Sequence, residues 1–249
     1  MDQMKLKQRL VQFLLILIVL SNTGCVYLRL LQVKRQLNDF HNNFNLSDDG
    51  GLTLIFKNPV LLEKDIVWLM KNKPLDAERS ENGELWRYIL EKHYAAANRE
   101  EDNFDIPISM YFQNEKLVEI TFPERFLKDL SIPLLKKMLS SMGKAAIDKV
   151  NRQLESSFEG SNASEIPKKK YVLNVLGIPY ENKTIEGVTD FNYLYTLKNT
   201  GNNSKDKEFE FKINFSFENT QDRLEKAEFN LNGLGFSLKF SVDDEDTKR

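Results

Sequence analysis

Two stretches of this chain present the same succession of elements, and that repetition limits the possible folds more than any other feature. In the first, "DIVWLMKNKP" reads as a short helix ending at Pro74. Twelve positions on, Trp86 opens the strand "WRYILEK", with Trp86, Tyr88 and Leu90 on one face. In the second, "KKYVLNVLGIP" ends at Pro179, and twelve positions on Phe191 opens "FNYLYTLK", where Phe191, Tyr193, Tyr195 and Leu197 alternate. Each stretch then crosses a polar loop into a hairpin, "IPISMYFQNEKLVEITF" and "FEFKINFSFENTQDRLEKAEF". Ile108, Met110 and Phe112 precede Asn114 as Ile213, Phe215 and Phe217 precede Asn219. Period-two patterning buries one sheet face and wets the other, and a helix has to cover the buried face. The expectation is an α+β fold of two similar helix plus antiparallel-sheet units, over residues 46–130 and 161–241.

Between them, "SIPLLKKMLSSMGKAAIDKVNRQLESSF" places Met138, Leu139, Met142, Ala146, Val150 and Leu154 at a 3.6-residue period, with lysines off that stripe. Ser131 suits the N-cap and Pro133 the first turn. This predicts one long connecting helix over 131–160, with "EGSNASEIPKKK" as the linker. Upstream, "VYLRLLQVKRQLNDFHNNF" sets Leu30, Val33, Leu37 and Phe40 on one helical face and Arg29, Lys34 and Arg35 on the other, so residues 25–45 read as an amphipathic helix. Such a stripe docks on the following domain or lies on headgroups. "LSDDGG" is a turn into the strand "LTLIFKNPVLL", "NGLGFSLKFSV" is a last strand, and 242–249 form an acidic tail.

"VLNVLGIPY", the loop "ENKTIEGVTD", the aromatic strand "FNYLYTL" and "FKINFSFENT" together resemble the SmpA/OmlA, or BamE, family. These are small outer-membrane lipoproteins of the barrel-assembly machinery, and the likeness covers Lys169 to about Leu231. It implies a BamE-like architecture for the second unit. The N-terminus resembles a bacterial lipoprotein: Lys5, Lys7 and Arg9, then the apolar run Leu10–Leu20, then Thr23, Gly24 and Cys25. Asn22 stands where that pattern usually has an aliphatic residue. The resemblance implies cleavage between Gly24 and Cys25, removal of residues 1–24 as a signal peptide, and acyl chains such as palmitate on the Cys25 thiol. The other reading of these residues is an uncleaved single-pass anchor. Processing would take the formal net charge from -2 to -4, since three cations and one carboxylate leave.

Lys and Arg number 35 against 37 for Asp and Glu, a balance that offers no long-range attraction for nucleic acid. His41 and His93 stand in no metal-ligand spacing, and Cys25, the single cysteine, cannot form a disulfide within the chain. No nucleophile elbow, phosphate loop or dinucleotide fingerprint occurs, and Glu124 with Asp129 is a pair without a shared motif. The sequence therefore predicts no enzyme, no cofactor and no metal. Together with the two resemblances it implies an envelope protein, membrane-held through Cys25 at the outer membrane and facing the periplasm, that acts as an interaction or assembly adaptor for another envelope protein. The alternative is a carrier of a lipid or other apolar ligand, resting on Trp86, Tyr88, Phe191, Tyr193 and Tyr195.

Overall fold

A computed structural model of the chain describes residues 26–95, 104–128, 130–148, 153–161, 166–198 and 209–242. Gly24 and Cys25 lie outside these residues. A helix over 26–38 (α1) and a short turn Phe40–Asn43 (α2) lead into the hairpin β1 (Phe44–Ser47) and β2 (Leu52–Phe56). There follow α3 (Glu63–Met70), β3 (Asp76–Ser80), β4 (Gly83–Lys92), β5 (Ile106–Gln113), β6 (Lys116–Phe122) and a 3-10 turn at Glu124–Leu127. The middle of the chain supplies α4 (Ile132–Lys144), β7 (Ala146–Asp148) and β8 (Gln153–Ser161). The last third supplies α5 (Lys169–Leu176), β9 (Glu181–Ile185), β10 (Val188–Leu197), β11 (Glu210–Glu218), β12 (Arg223–Leu231) and β13 (Leu234–Val242).

All thirteen strands belong to one sheet, ordered β1-β2-β6-β5-β4-β10-β11-β12-β13-β8-β7, with β3 beside β4 and β9 beside β10. Every pairing is antiparallel except β13 with β8. This corrects the expected two helix-plus-sheet units and the long connecting helix. The physical reason lies in hairpin lengths. Strand β3, five residues long, covers only Gly83–Arg87 of the ten-residue β4, and β9 covers only Val188–Asn192 of β10. Each long strand is left with a bare edge of main-chain donors and acceptors, which cannot be buried unpaired. The two bare edges pair with each other: Leu90 with Leu197, Glu91 with Thr196 and Lys92 with Tyr195. The His93 N–H donates to the Leu194 carbonyl and the Lys198 N–H to the Ile89 carbonyl, both at 2.9 Å.

The succession helix, short strand, long strand, strand, strand runs from α3 to β6 and again from α5 to β12 within that single sheet. Trp86 faces Met110 across its ladder as Phe191 faces Phe215. The Tyr88 hydroxyl donates to the Asn72 carbonyl at 3.2 Å and the Tyr193 hydroxyl to the Gly177 carbonyl at 2.9 Å, each reaching back sixteen residues to the end of its helix. That tether accounts for the constant spacing between the helix stop and the aromatic strand.

The connecting helix ends at Lys144, not near residue 160. Beyond it, Leu154 and Phe158 lie in β8, which runs parallel to β13, and the β7–β8 hairpin caps that end of the sheet. Leu154 fits a 3.6 period and a period of two alike; the unpaired edge of β13 decides between them, and that demand comes from eighty residues away. One continuous core joins both halves of the chain and draws on α1, α3 and α5, including Ile66, Tyr88, Phe112, Val175, Tyr195 and Phe217. A smaller cluster of Leu134, Phe158 and Leu238 ties α4 to β8 and β13.

The stripe of α1 docks on the domain: Leu30, Val33 and Leu37 pack against the core, and Phe40 and Phe44 are buried. Arg29 corrects the expected solvent face. Its guanidinium forks onto the fully buried Asp65 of α3, with both N–O distances 2.5 Å. Where α1 meets α4, Gly143 lies so close to the Leu37–Asn38 backbone that a Cβ would sit 2.1 Å from the Asn38 nitrogen.

Candidate functional site

Strand β9 is exposed at all five residues and pairs only with β10, so its other edge is open among the described residues. Around it the chain leaves apolar side chains in water: Leu173 on α5, Ile178 and Tyr180 in the connection, and Ile185 at the strand end, half exposed at 50%. The corresponding strand of the first run, β3, is built differently. Its five residues are all exposed and none is a large apolar one, and its Asp76 and Glu78 both hold Arg87 of β4, at 2.6 and 2.5 Å; β9 exposes Glu181 and Lys183 but ends on Ile185.

Tyr180 and Glu181 also wall a groove of about 410 Å3 over the outer face of β10 to β13. Outward positions of successive strands make its floor: Asn192 on β10, Lys212 and Asn214 on β11, Glu228 and Asn230 on β12. The Asn214 amide donates to Asn192 Oδ1 at 2.8 Å, which fixes the floor. An aromatic wall over amides and a charge of each sign suits a polypeptide segment, which needs both apolar contact and main-chain hydrogen bonding.

No family model, curated protein or solved structure matches the chain.

A larger cleft of about 960 Å3 separates the two ends of the sheet. Asn38, His41, Phe44 and Asn45 form one wall, with Lys136, Lys137, Lys144, Glu155 and Ser156 opposite. The Ser141 hydroxyl donates to the Met138 carbonyl and that of Ser156 to the Ser141 carbonyl, both at 2.7 Å. These hydroxyls face main-chain oxygen, whereas an activated nucleophile faces a base.

The histidines do not converge. His41 lies on that cleft, while His93 Nε2 shares a 2.8 Å hydrogen bond with Thr196 Oγ1 across the β4–β10 junction. Glu124 is exposed in the 3-10 turn, and Asp129 lies outside the described residues. Among the described residues no three His, Cys, Asp or Glu side chains gather as a metal site would require.

Two charged centres were not evident from the sequence. One is the Arg29–Asp65 fork. The other sits at the sheet junction: Lys92, a buried residue, lies over the rings of Tyr94, Phe104 and Tyr193 at 4.6, 4.9 and 5.7 Å. Beside it Arg125 donates to the carbonyls of Phe104 and Asp105 at 3.1 and 2.6 Å. Burial pulls the Arg125 guanidinium below its ordinary value, opposed by Tyr195, Asp105 and Tyr94. It remains charged, because arginine starts so high. Elsewhere, burial and then the charges of Glu84 and Glu115 push the Glu63 carboxyl up.

Proposed function

We propose that the protein is a lipid-anchored envelope protein that acts as a non-catalytic adaptor, docking a segment of another envelope protein on the open edge of β9 and the groove beside it. The observation that carries this reading is the pairing of an uncovered strand edge with exposed apolar side chains at Ile178, Tyr180 and Ile185, whereas the matching strand β3 carries no large apolar side chain. An extended segment added there gains main-chain hydrogen bonds along the edge, and Tyr180 and Ile185 supply apolar anchors.

The anchor rests on the N-terminal residues: cations, the Leu10–Leu20 run, then Gly24 and Cys25. After cleavage, acyl chains on Cys25 hold the protein at the outer membrane, facing the periplasm. Two chains bind firmly where one binds reversibly. Against the carrier alternative, Trp86, Tyr88, Phe191, Tyr193 and Tyr195 are each 7% exposed or less, and of the five only Tyr193 also lines the groove.

The test uses the full chain extracted from membranes. Ile185→Lys together with Tyr180→Ala should leave the unfolding midpoint unchanged and abolish co-purification of the partner. Ala at His41, His93 and Glu124 should leave co-purification intact. The opposite pattern overturns the adaptor reading, and a Cys25 of unmodified mass overturns the acyl anchor.

A further inference from the structure

We infer that the outer faces of α1 and α3 form a second membrane contact, a surface that seats the folded domain against the lipid interface. Four of the nine large apolar side chains exposed among the described residues gather on these two helices: Tyr27, Leu28, Leu31 and Trp68. The Tyr27 and Trp68 rings meet edge to face with centroids 5.4 Å apart, and Leu28 is 65% exposed.

Helix α1 already buries Leu30, Val33 and Leu37 on the domain, so its first two turns are apolar on the opposite side as well. An amphipathic helix needs only one apolar face unless a second apolar medium covers the other. Cations frame this patch. Lys64 on α3 and Lys71 just past its end are exposed, four residues before and three after Trp68, and Arg35 is exposed four residues after Leu31. Tyrosine and tryptophan favour the headgroup boundary because an apolar ring carries a polar tip. Each cation near an anionic surface strengthens attachment to it.

The occupant follows from chain continuity. Residue 26 opens α1, and the sequence immediately before it carries the apolar run Leu10–Leu20 and Cys25. A chain held at the membrane just before residue 26 brings Tyr27 and Leu28 to the lipid before any other part of the domain. The Arg29–Asp65 fork locks α1 to α3, so Trp68 follows. The docking site on β9 then remains for a protein partner. The inference rests on the envelope reading above but not on the chemistry at Cys25.

The experiment reconstitutes the full chain into vesicles of brominated phosphatidylcholine with and without phosphatidylglycerol. The chain has two tryptophans, and Trp86 is buried in the core, so quenching reports Trp68. Expected are loss of emission in brominated vesicles, a greater loss with the anionic lipid, and no lipid-dependent loss in Trp68→Phe. Lys64→Glu with Lys71→Glu should remove the anionic-lipid increment. Emission unchanged by brominated lipid, or equal quenching in Trp68→Phe, overturns the proposal. So does a Trp68 shielded from acrylamide only when another protein co-purifies. Intact mass on the same sample separates the two ideas. Quenching with an unmodified Cys25 supports this surface and removes the acyl anchor, whereas an acylated Cys25 without quenching does the reverse.

Discussion

Removing Arg29 should cost more stability than any exposed arginine in the chain, and the structure indicates how much. Asp65 has no solvent-exposed side-chain surface, and Arg29 retains 19%. The carboxylate receives Nε and Nη2 of Arg29 and, at N3 of α3, the Leu62 N–H at 2.8 Å. In Arg29→Ala the buried carboxylate keeps the Leu62 N–H but loses its counter-charge, and breaking such a pair costs about 3–5 kcal/mol. Asp65→Ala frees an arginine whose head already reaches water but also removes the cap of α3, which is worth about 1 kcal/mol. It should therefore cost roughly the lower end of the same range. Arg29→Met with Asp65→Leu removes both charges and fills the space, so only about 1 kcal/mol for the lost cap should remain.

The assay is urea unfolding of all four proteins at neutral pH. With m near 3 kcal/mol/M, the Arg29→Ala midpoint should fall by about 1 M or more. The two single losses together, about 6–8 kcal/mol, should exceed the loss in the doubly substituted chain by about 5 kcal/mol or more. A loss below about 1 kcal/mol in Arg29→Ala, or strictly additive single substitutions, would refute the claim that a buried ion pair locks α1 to the domain.

Two further outcomes follow from the packing. Gly143→Ala should destabilise by about 1–3 kcal/mol, because the new methyl meets backbone at Leu37 and Asn38; in a free helix the same change would stabilise by about 1 kcal/mol, so the sign of the urea midpoint shift decides. For Tyr88, burial raises the phenol pKa above its ordinary value, so the folded state holds the proton more tightly. That contribution is complete below about pH 10 and is lost as pH rises through the raised pKa. Tyr88→Phe should cost about 1 kcal/mol at neutral pH for the hydrogen bond to Asn72, and flatten the alkaline loss of stability; an unchanged alkaline limb would show that Tyr88 does not govern it.

The candidate site was legible in part. Its loop, "ENKTIEGVTD", stands out as polar between two apolar runs, but it folds as a hairpin strand and a turn with Glu186 and Gly187 at positive φ. That Tyr180 and Ile185 stay in water could not be read from the sequence, because an apolar residue beside a strand is equally suited to the core. Arg29, next to Leu30 and one turn before Val33, flanks the inward stripe. Its partner Asp65 is thirty-six positions away, so only the packing of α1 on α3 pairs them.

What the sequence determined by itself was local. Period-two alternation set the faces of β4, β5, β10 and β11, with Trp86, Tyr88, Phe191 and Tyr193 inward, because a strand has only two sides. Pro74 and Pro179 bounded the two helices, and Ser131 began α4 with its hydroxyl accepting the Leu134 N–H. Only the tertiary structure decided how those pieces share edges. A bare strand edge must find a partner, and nothing in its own residues names one. Leu90 meeting Leu197, and Phe158 leaving a helical pattern to run beside Phe240, are answers to main-chain hydrogen bonds left open elsewhere in the chain.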